Sequence, residues 1–165
     1  LGDGMFIDSC RLIGKEFPEV QIEEIIVDAM MAHVVRTPER YDVLVTTNVF
    51  GDILSDLTAE LSGSLGMAGS INAGVNYAMA QAAHGSAPDI AGKNLANPFS
   101  QVWSVAMLLN WYGQRQNKPQ FVTAAQVMET VMAQAIAAGE STRDIGGKLG
   151  TKETGQALLE RLAKV

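Results

Sequence analysis

The stretch Asn48-Val49-Phe50-Gly51-Asp52-Ile53-Leu54-Ser55-Asp56 constrains this chain most, because of what precedes it. It comes directly after Val43-Leu44-Val45-Thr46-Thr47, a short, uncharged, β-branched run. Such a run reads as a buried strand. The residues after it read as a helix, with Asn48 at the N-cap and Ile53 and Leu57 on one apolar face. On that helix Asp52 and Asp56 lie about one turn apart on a shared face. Two like charges so close disfavour each other unless a cation lies between them or one is protonated. Hard oxygen ligands beside the carboxyl end of a strand suit Mg²⁺ or Mn²⁺. The pair alone reads equally well as two solvated side chains on an outer helix face.

A third carboxylate sharpens the contrast. Gln21 to Val27 reads as another strand, and Asp28 follows it into a helix through Met30, Met31, Val34 and Val35. Asp28 and Asp52 thus occupy similar places past the ends of apolar strands, the edge where open α/β sheets bind ligands. An acid favoured by the helix dipole explains Asp28 as well.

The rest of the chain bounds the partners. Its 165 residues suffice for a sizeable core, and 47% hydrophobic with 18% charged residues is a globular composition. A net charge of -6 offers no basic patch for nucleic acid. The single cysteine, Cys10, forms no internal disulfide, so a reducing cytoplasm is the expected setting. Neither uncharged stretch, 61–88 or 94–114, has an apolar centre long enough to span a bilayer. The chain opens at Leu1 without an initiator methionine, so the expectation is the later part of a longer protein.

Taken in order, residues 3–17 read as a helix with Met5, Ile7, Leu12 and Ile13 as its stripe, ended by Pro18. The segment 61–74, rich in Gly, Ser and Ala, reads as close-packed loop and as the crossing point between two lobes. Residues 77–83 read as a strand. It leads into His84-Gly85-Ser86-Ala87-Pro88-Asp89-Ile90-Ala91-Gly92-Lys93, a loop whose glycines let backbone amides approach a phosphate. Asp89 suits an adenosine ribose hydroxyl and repels a 2′-phosphate. There is no G-x-G-x-x-G fingerprint, and on residue chemistry alone His84 reads as a structural histidine in a surface loop. Helices are expected over 98–112, 124–138 (capped by Gly139) and 152–164, the last on Leu158, Leu159 and Leu162. The segment 142–147 reads as a turn or short strand.

Three segments together resemble the β-decarboxylating dehydrogenases, which act on isopropylmalate, isocitrate, homoisocitrate or tartrate. They are Val27-Asp28-Ala29-Met30, the Asn48–Asp56 stretch, and His84–Lys93 continuing to Ala96-Asn97-Pro98. The resemblance implies an α/β, isopropylmalate dehydrogenase-like two-lobed fold (three-layer α/β/α) of which only the C-terminal half is present. Residues 1–62 would be the later part of the dimerisation and metal-binding lobe, and 63–165 the later part of the nucleotide-binding lobe. It implies that Asp28, Asp52 and Asp56 ligate Mg²⁺ or Mn²⁺ at a homodimer interface, Asp28 reaching into the partner's site. It implies that His84, Gly85, Ser86, Ala87, Pro88, Asp89, Ile90, Ala96 and Asn97 bind NAD, since Asp89 and Ile90 stand where NADP-using members carry a basic residue and Tyr.

The implied reaction oxidises a 2-hydroxy acid and releases its β-carboxylate as CO₂. Asp28-Ala29-Met30 with His33 leans toward isopropylmalate, whereas Thr46-Thr47-Asn48 suits isocitrate or homoisocitrate equally. The family's substrate arginines, catalytic Tyr and catalytic Lys lie upstream of the matched region, so this chain alone is expected to be inactive. Ala82-Ala83 departs from the Glu-Pro-Val common before the histidine. Other readings are a non-catalytic or truncated subunit of a hetero-oligomeric isocitrate dehydrogenase, and a Mg²⁺-dependent phosphoryl-transfer enzyme. The latter would need a nucleophile or a phosphate cradle at the strand ends, and the sequence offers neither there.

Overall fold

Periodicity of 3.6 builds most of this protein. In the computed structural model, which describes residues 2–165, six α-helices form: α1 (Gly2–Gly14), α2 (Val27–Arg36), α3 (Asn48–Leu61), α4 (Phe99–Arg115), α5 (Pro119–Ala137) and α6 (Thr151–Leu162). Strands β1 (Gly69–Ala73) and β2 (Ala78–Ala82) complete it, with single 3₁₀ turns at Pro38–Arg40, Leu65–Met67, Pro88–Ile90 and Arg143–Ile145. The chain divides into two compact units, Leu1–Leu61 and Ser62–Val165.

In the first unit α2 packs on α3 and buries Val34, Leu54 and Ala59. The segments expected as strands, 21–27 and 42–47, run without a ladder. A strand needs a neighbour to exchange hydrogen bonds with, and the described residues supply none there. Their side chains accordingly face solvent: Ile26 is 72% exposed and Val43 78%. Ion pairs hold the first of these segments instead. Arg11 on α1 forks onto Glu24 at 2.5 and 2.8 Å, and Arg40 forks onto Glu23 at 2.7 Å. The expected stripe of α1 is likewise open, with Met5, Leu12 and Ile13 exposed. That helix ends at Gly14, before Pro18.

The second unit has a true core. Phe99, Val131, Met132, Ala135 and Leu158 are buried together, with Val102, Trp103, Ile136 and Leu162 packed around them. Leu159, expected on the buried face of α6, is exposed because Leu158 and Leu162 take that face. Residues 69–73, read as loop, are β1, paired antiparallel with β2 in the register Gly69–Ala82 to Ala73–Ala78. Their composition hides the strand; α4 rescues it.

Small side chains on α4 receive the hairpin's backbone. Ser104 Oγ accepts from the Ser70 amide at 3.0 Å and donates to the Gln81 carbonyl at 2.7 Å. Ser100 Oγ donates to the Ala68 carbonyl and accepts from the Ala83 amide. Gly69 makes the approach close, since a Cβ there would stand 2.9 Å from Trp103 Cδ1. At the end of α5, the Gly139 amide bonds the Ile136 carbonyl and the Glu140 amide the Ala135 carbonyl. That is a Schellman cap with Gly139 at φ 72.

Candidate functional site

The acidic candidates lie in the first unit. The Thr47 carbonyl accepts the Gly51 amide at 2.8 Å, so Thr47 rather than Asn48 stands at the N-cap of α3. Asn48 is the first helical residue. Asp52 and Asp56 follow in the first half of α3, both exposed, while Leu54 between them is buried. The helix therefore turns Leu54 and Ala59 inward and leaves both carboxylates in water, while Ile53, expected on the apolar face, is exposed. Neither makes a side-chain hydrogen bond or ion pair among the described residues. Asp28 stands in the first turn of α2, and its Oδ1 accepts the Ala29 amide at 2.6 Å. Among the described residues no three acidic, His or Cys side chains converge as a metal-holding group. One chain thus presents Asp52 and Asp56 as a pair and does not gather Asp28 with them. The donor chemistry of that pair, two free hard oxygen groups a turn apart, fits a divalent cation.

The loop 84–97 lies in the second unit. His84 to Asp89 are all exposed. His84 Nδ1 is 2.9 Å from the Gly85 carbonyl, a contact in which Nδ1 carries a proton and the carbonyl accepts it. Ala87 holds φ 41, ψ 61 immediately before Pro88, where a left-handed conformation is doubly disfavoured for a side chain. Pro88 then opens a 3₁₀ turn through Asp89 and Ile90. Gly92 at φ 73 and Asn94 at φ 56 reverse the chain again.

The exit of the loop is tied down. Asn94 Oδ1 accepts the Lys152 amide at 2.8 Å and Nδ2 donates to Glu153 at 2.7 Å, so Asn94 caps α6 from a distant segment. Its hydrogen bond to Glu153 holds that carboxyl below its usual value. Gly150 permits this; a Cβ there would collide with Asn94 Nδ2. Thr151 Oγ1 donates to the Ala96 carbonyl at 2.5 Å.

Asn97 is buried, and its side chain is engaged at both ends. Its Oδ1 accepts the Phe99 amide at 2.9 Å and its Nδ2 donates to Asp144 Oδ2 at 2.9 Å. Asp144 also accepts Ser64 Oγ on Oδ2 at 2.7 Å and Thr142 Oγ1 on Oδ1 at 2.6 Å. Burial, the largest single influence, would raise this carboxyl, but the hydrogen bonds from Ser64, Thr142 and Asn97 outweigh it and hold it below its ordinary value. Sequence pattern passes over Asp144, because it lies in a segment that reads as a turn or short strand. Its partners Ser64 and Asn97 are 80 and 47 residues away, and no local pattern announces them.

Comparison with known proteins gives the family. The family model "Isocitrate/isopropylmalate dehydrogenase" matches residues 3–158. The isocitrate/homoisocitrate dehydrogenase of Thermus thermophilus is 43% identical over 162 residues, 98% of this chain and 46% of that protein. The isocitrate dehydrogenase [NADP] of Rickettsia felis is 41% identical over 169 residues, 99% of this chain and 34% of that protein. A crystal structure of isocitrate dehydrogenase from Methylococcus capsulatus superposes with a TM-score of 0.87 at 41% identity, covering 96% of this chain and 46% of that one. The chain therefore spans half or less of the length of these relatives.

Proposed function

The chain belongs to the isocitrate/isopropylmalate dehydrogenase family, and from that premise we propose that it is part of an NAD- and divalent-metal-dependent enzyme that oxidatively decarboxylates a 2-hydroxy di- or tricarboxylic acid. The observation that carries this reading is the free carboxylate pair of Asp52 and Asp56 on the wet face of α3. Two anionic oxygen groups without protein partners bind a hard cation and leave coordination positions for a chelating hydroxy acid. Asp28 completes the set from the second copy of a homodimer. A bound Mg²⁺ or Mn²⁺ supplies Lewis acidity to the carbonyl that oxidation creates.

The loop 84–97 takes the adenosine half of the dinucleotide. Its exposed backbone at Gly85 and Ser86 approaches the phosphates, and Asp89 accepts a ribose hydroxyl. The same carboxylate repels a 2′-phosphate, which supports NAD over the NADP that the Rickettsia felis relative is named for. For the acid, Asp28-Ala29-Met30 with His33 favours a 3-isopropylmalate-like substrate over isocitrate, homoisocitrate or tartrate. The enzyme is assigned to the cytoplasm from its free Cys10. Among the described residues no helix is long and apolar enough to cross a membrane.

A second reading has one observation in its favour. Arg40, on the turn that follows α2, is already forked onto Glu23, so this arginine is not a free clamp for a polycarboxylate. A non-catalytic subunit of a hetero-oligomeric dehydrogenase would share that trait, but it has no need for three intact acids.

The test is an assay of the polypeptide encoded by the complete gene with each acid, following absorbance of the reduced nucleotide. Turnover that requires Mg²⁺ or Mn²⁺, prefers NAD, and falls at least about a hundredfold in Asp52→Asn is the expected result. Phosphatase activity in place of reduced-nucleotide formation overturns the reading. Asp89→Lys is expected to move the preference toward NADP.

A further inference from the structure

We propose that Asp144 is the positioning residue of the dinucleotide loop, holding the loop's exit through Asn97 so that residues 84–89 keep their binding form. This rests on the adenosine-binding role assigned above to the loop.

The loop is exposed along 84–89 and turns through left-handed conformations at Ala87, Gly92 and Asn94. At Ala87 and Asn94, which carry side chains, such conformations persist only when the surroundings over-determine them, so the loop depends on its two ends. The entrance is held by β2 and by the Ala83 amide, which bonds the Ala68 carbonyl at 3.3 Å. The exit is held by Asn94 and by Thr151 of α6, and by Asn97, whose amide group would otherwise be a buried donor without an acceptor. Asp144 supplies the acceptor.

The carboxylate also joins three segments far apart in sequence. Ser64 opens the 3₁₀ turn at Leu65–Met67, and its Oγ accepts the Gly66 amide at 3.1 Å while donating to Asp144. Thr142, fully buried, lies two residues before Asp144. Gly66 makes room, because a Cβ there would stand 2.7 Å from Asn97 Cβ and 3.0 Å from Asp144 Oδ2. All three side-chain partners donate. A carboxylate accepts all three; an asparagine keeps one oxygen for Ser64 and Asn97 only by turning its N–H₂ toward Thr142 Oγ1, whose hydroxyl must then accept instead of donate.

That distinction gives the test. In this chain, Asp144→Asn removes the charge and one acceptor and forces the Thr142 bond to reverse, and Asn97→Asp sets carboxylate against carboxylate. The double swap restores one donor facing one acceptor, and the carboxylate it places at position 97 still accepts the Phe99 amide. Affinity for ADP-ribose would be measured by calorimetry, and amide exchange over 84–97 by mass spectrometry without nucleotide. Each single variant is expected to weaken ADP-ribose binding about tenfold and to speed exchange in the loop, and the swap to recover most of both. Val131→Ala, a core change away from the loop, is expected to lower the Tm while leaving the affinity within about threefold.

Folded Asp144→Asn with wild-type affinity and exchange overturns the proposal, as does a swap that recovers neither. Val131→Ala weakening ADP-ribose as much as Asp144→Asn overturns it too, by showing a general stability effect. A wild-type chain that binds no ADP-ribose, while Asp144→Asn still loosens the loop, overturns the nucleotide role of the loop and leaves the anchor standing.

Discussion

Single residues carry the strain and the charge of the loop. Ala87 is held at φ 41 before a proline, so its substitutions are decided by backbone conformation more than by packing. Ala87→Val is expected to destabilise by about 2 kcal/mol, because a β-branched side chain tolerates the left-handed region poorly. Ala87→Gly is expected to be neutral within about 1 kcal/mol, since relief of strain offsets the added freedom of the unfolded chain. Urea titration of the two variants decides this. Asp144 adds a pH signature. Its folded carboxyl lies below the unfolded value of 3.8, so its contribution is complete above that value and is lost as pH falls below it through the folded pKa. Wild type is expected to lose stability in that acid window more steeply than Asp144→Asn, as thermal melts between about pH 5 and pH 2 would read. At this scale the sequence is partly legible. The spacing of Asp52 and Asp56 betrays a shared helix face because helical geometry is local. Asn97 reads as a ligand residue from its motif, yet its side chain bonds Asp144 and the Phe99 amide. Contacts across the fold leave no trace in spacing.

Elements divide along the same line. The helices are legible, and so is the glycine cap of α5, because both follow from residues within a turn of each other. The strands are not. Val43-Leu44-Val45 has the composition of a strand and finds no partner, while Gly-Ser-Ile-Asn-Ala lacks that composition and pairs, because α4 offers serines at the right positions. Ser104 is the keystone of that contact. It is fully buried, and Ser104→Ala would strip the Ser70 amide and the Gln81 carbonyl of their shared side-chain partner. We expect a loss of about 1–3 kcal/mol, together with faster amide exchange at Ser70. A loss below about 0.5 kcal/mol would show that water replaces the hydroxyl without cost.

At the scale of the whole molecule the two units differ in how much they bury. The second holds a continuous apolar core beneath α4, α5 and α6, whereas the first buries Val34, Leu54 and Ala59 and leaves Ile22, Ile26, Val43 and Val45 exposed. Amide exchange in this chain is therefore expected to be slow in α4 and α5 and fast in α1, with denaturant melting residues 2–61 first. Equal protection in both units would contradict this. The open segment of the first unit also shapes how the protein behaves at high concentration. Val43 to Thr47 lies outside helix and strand and is rich in β-branched residues, uncharged and free of proline, which are the traits of a segment that templates copies of itself. The other open segment, 20–26, is pinned by the Glu23 and Glu24 forks, which salt weakens. Concentrated solutions should then form thioflavin-positive fibrils faster as ionic strength rises. A single Val45→Lys gatekeeper should suppress them.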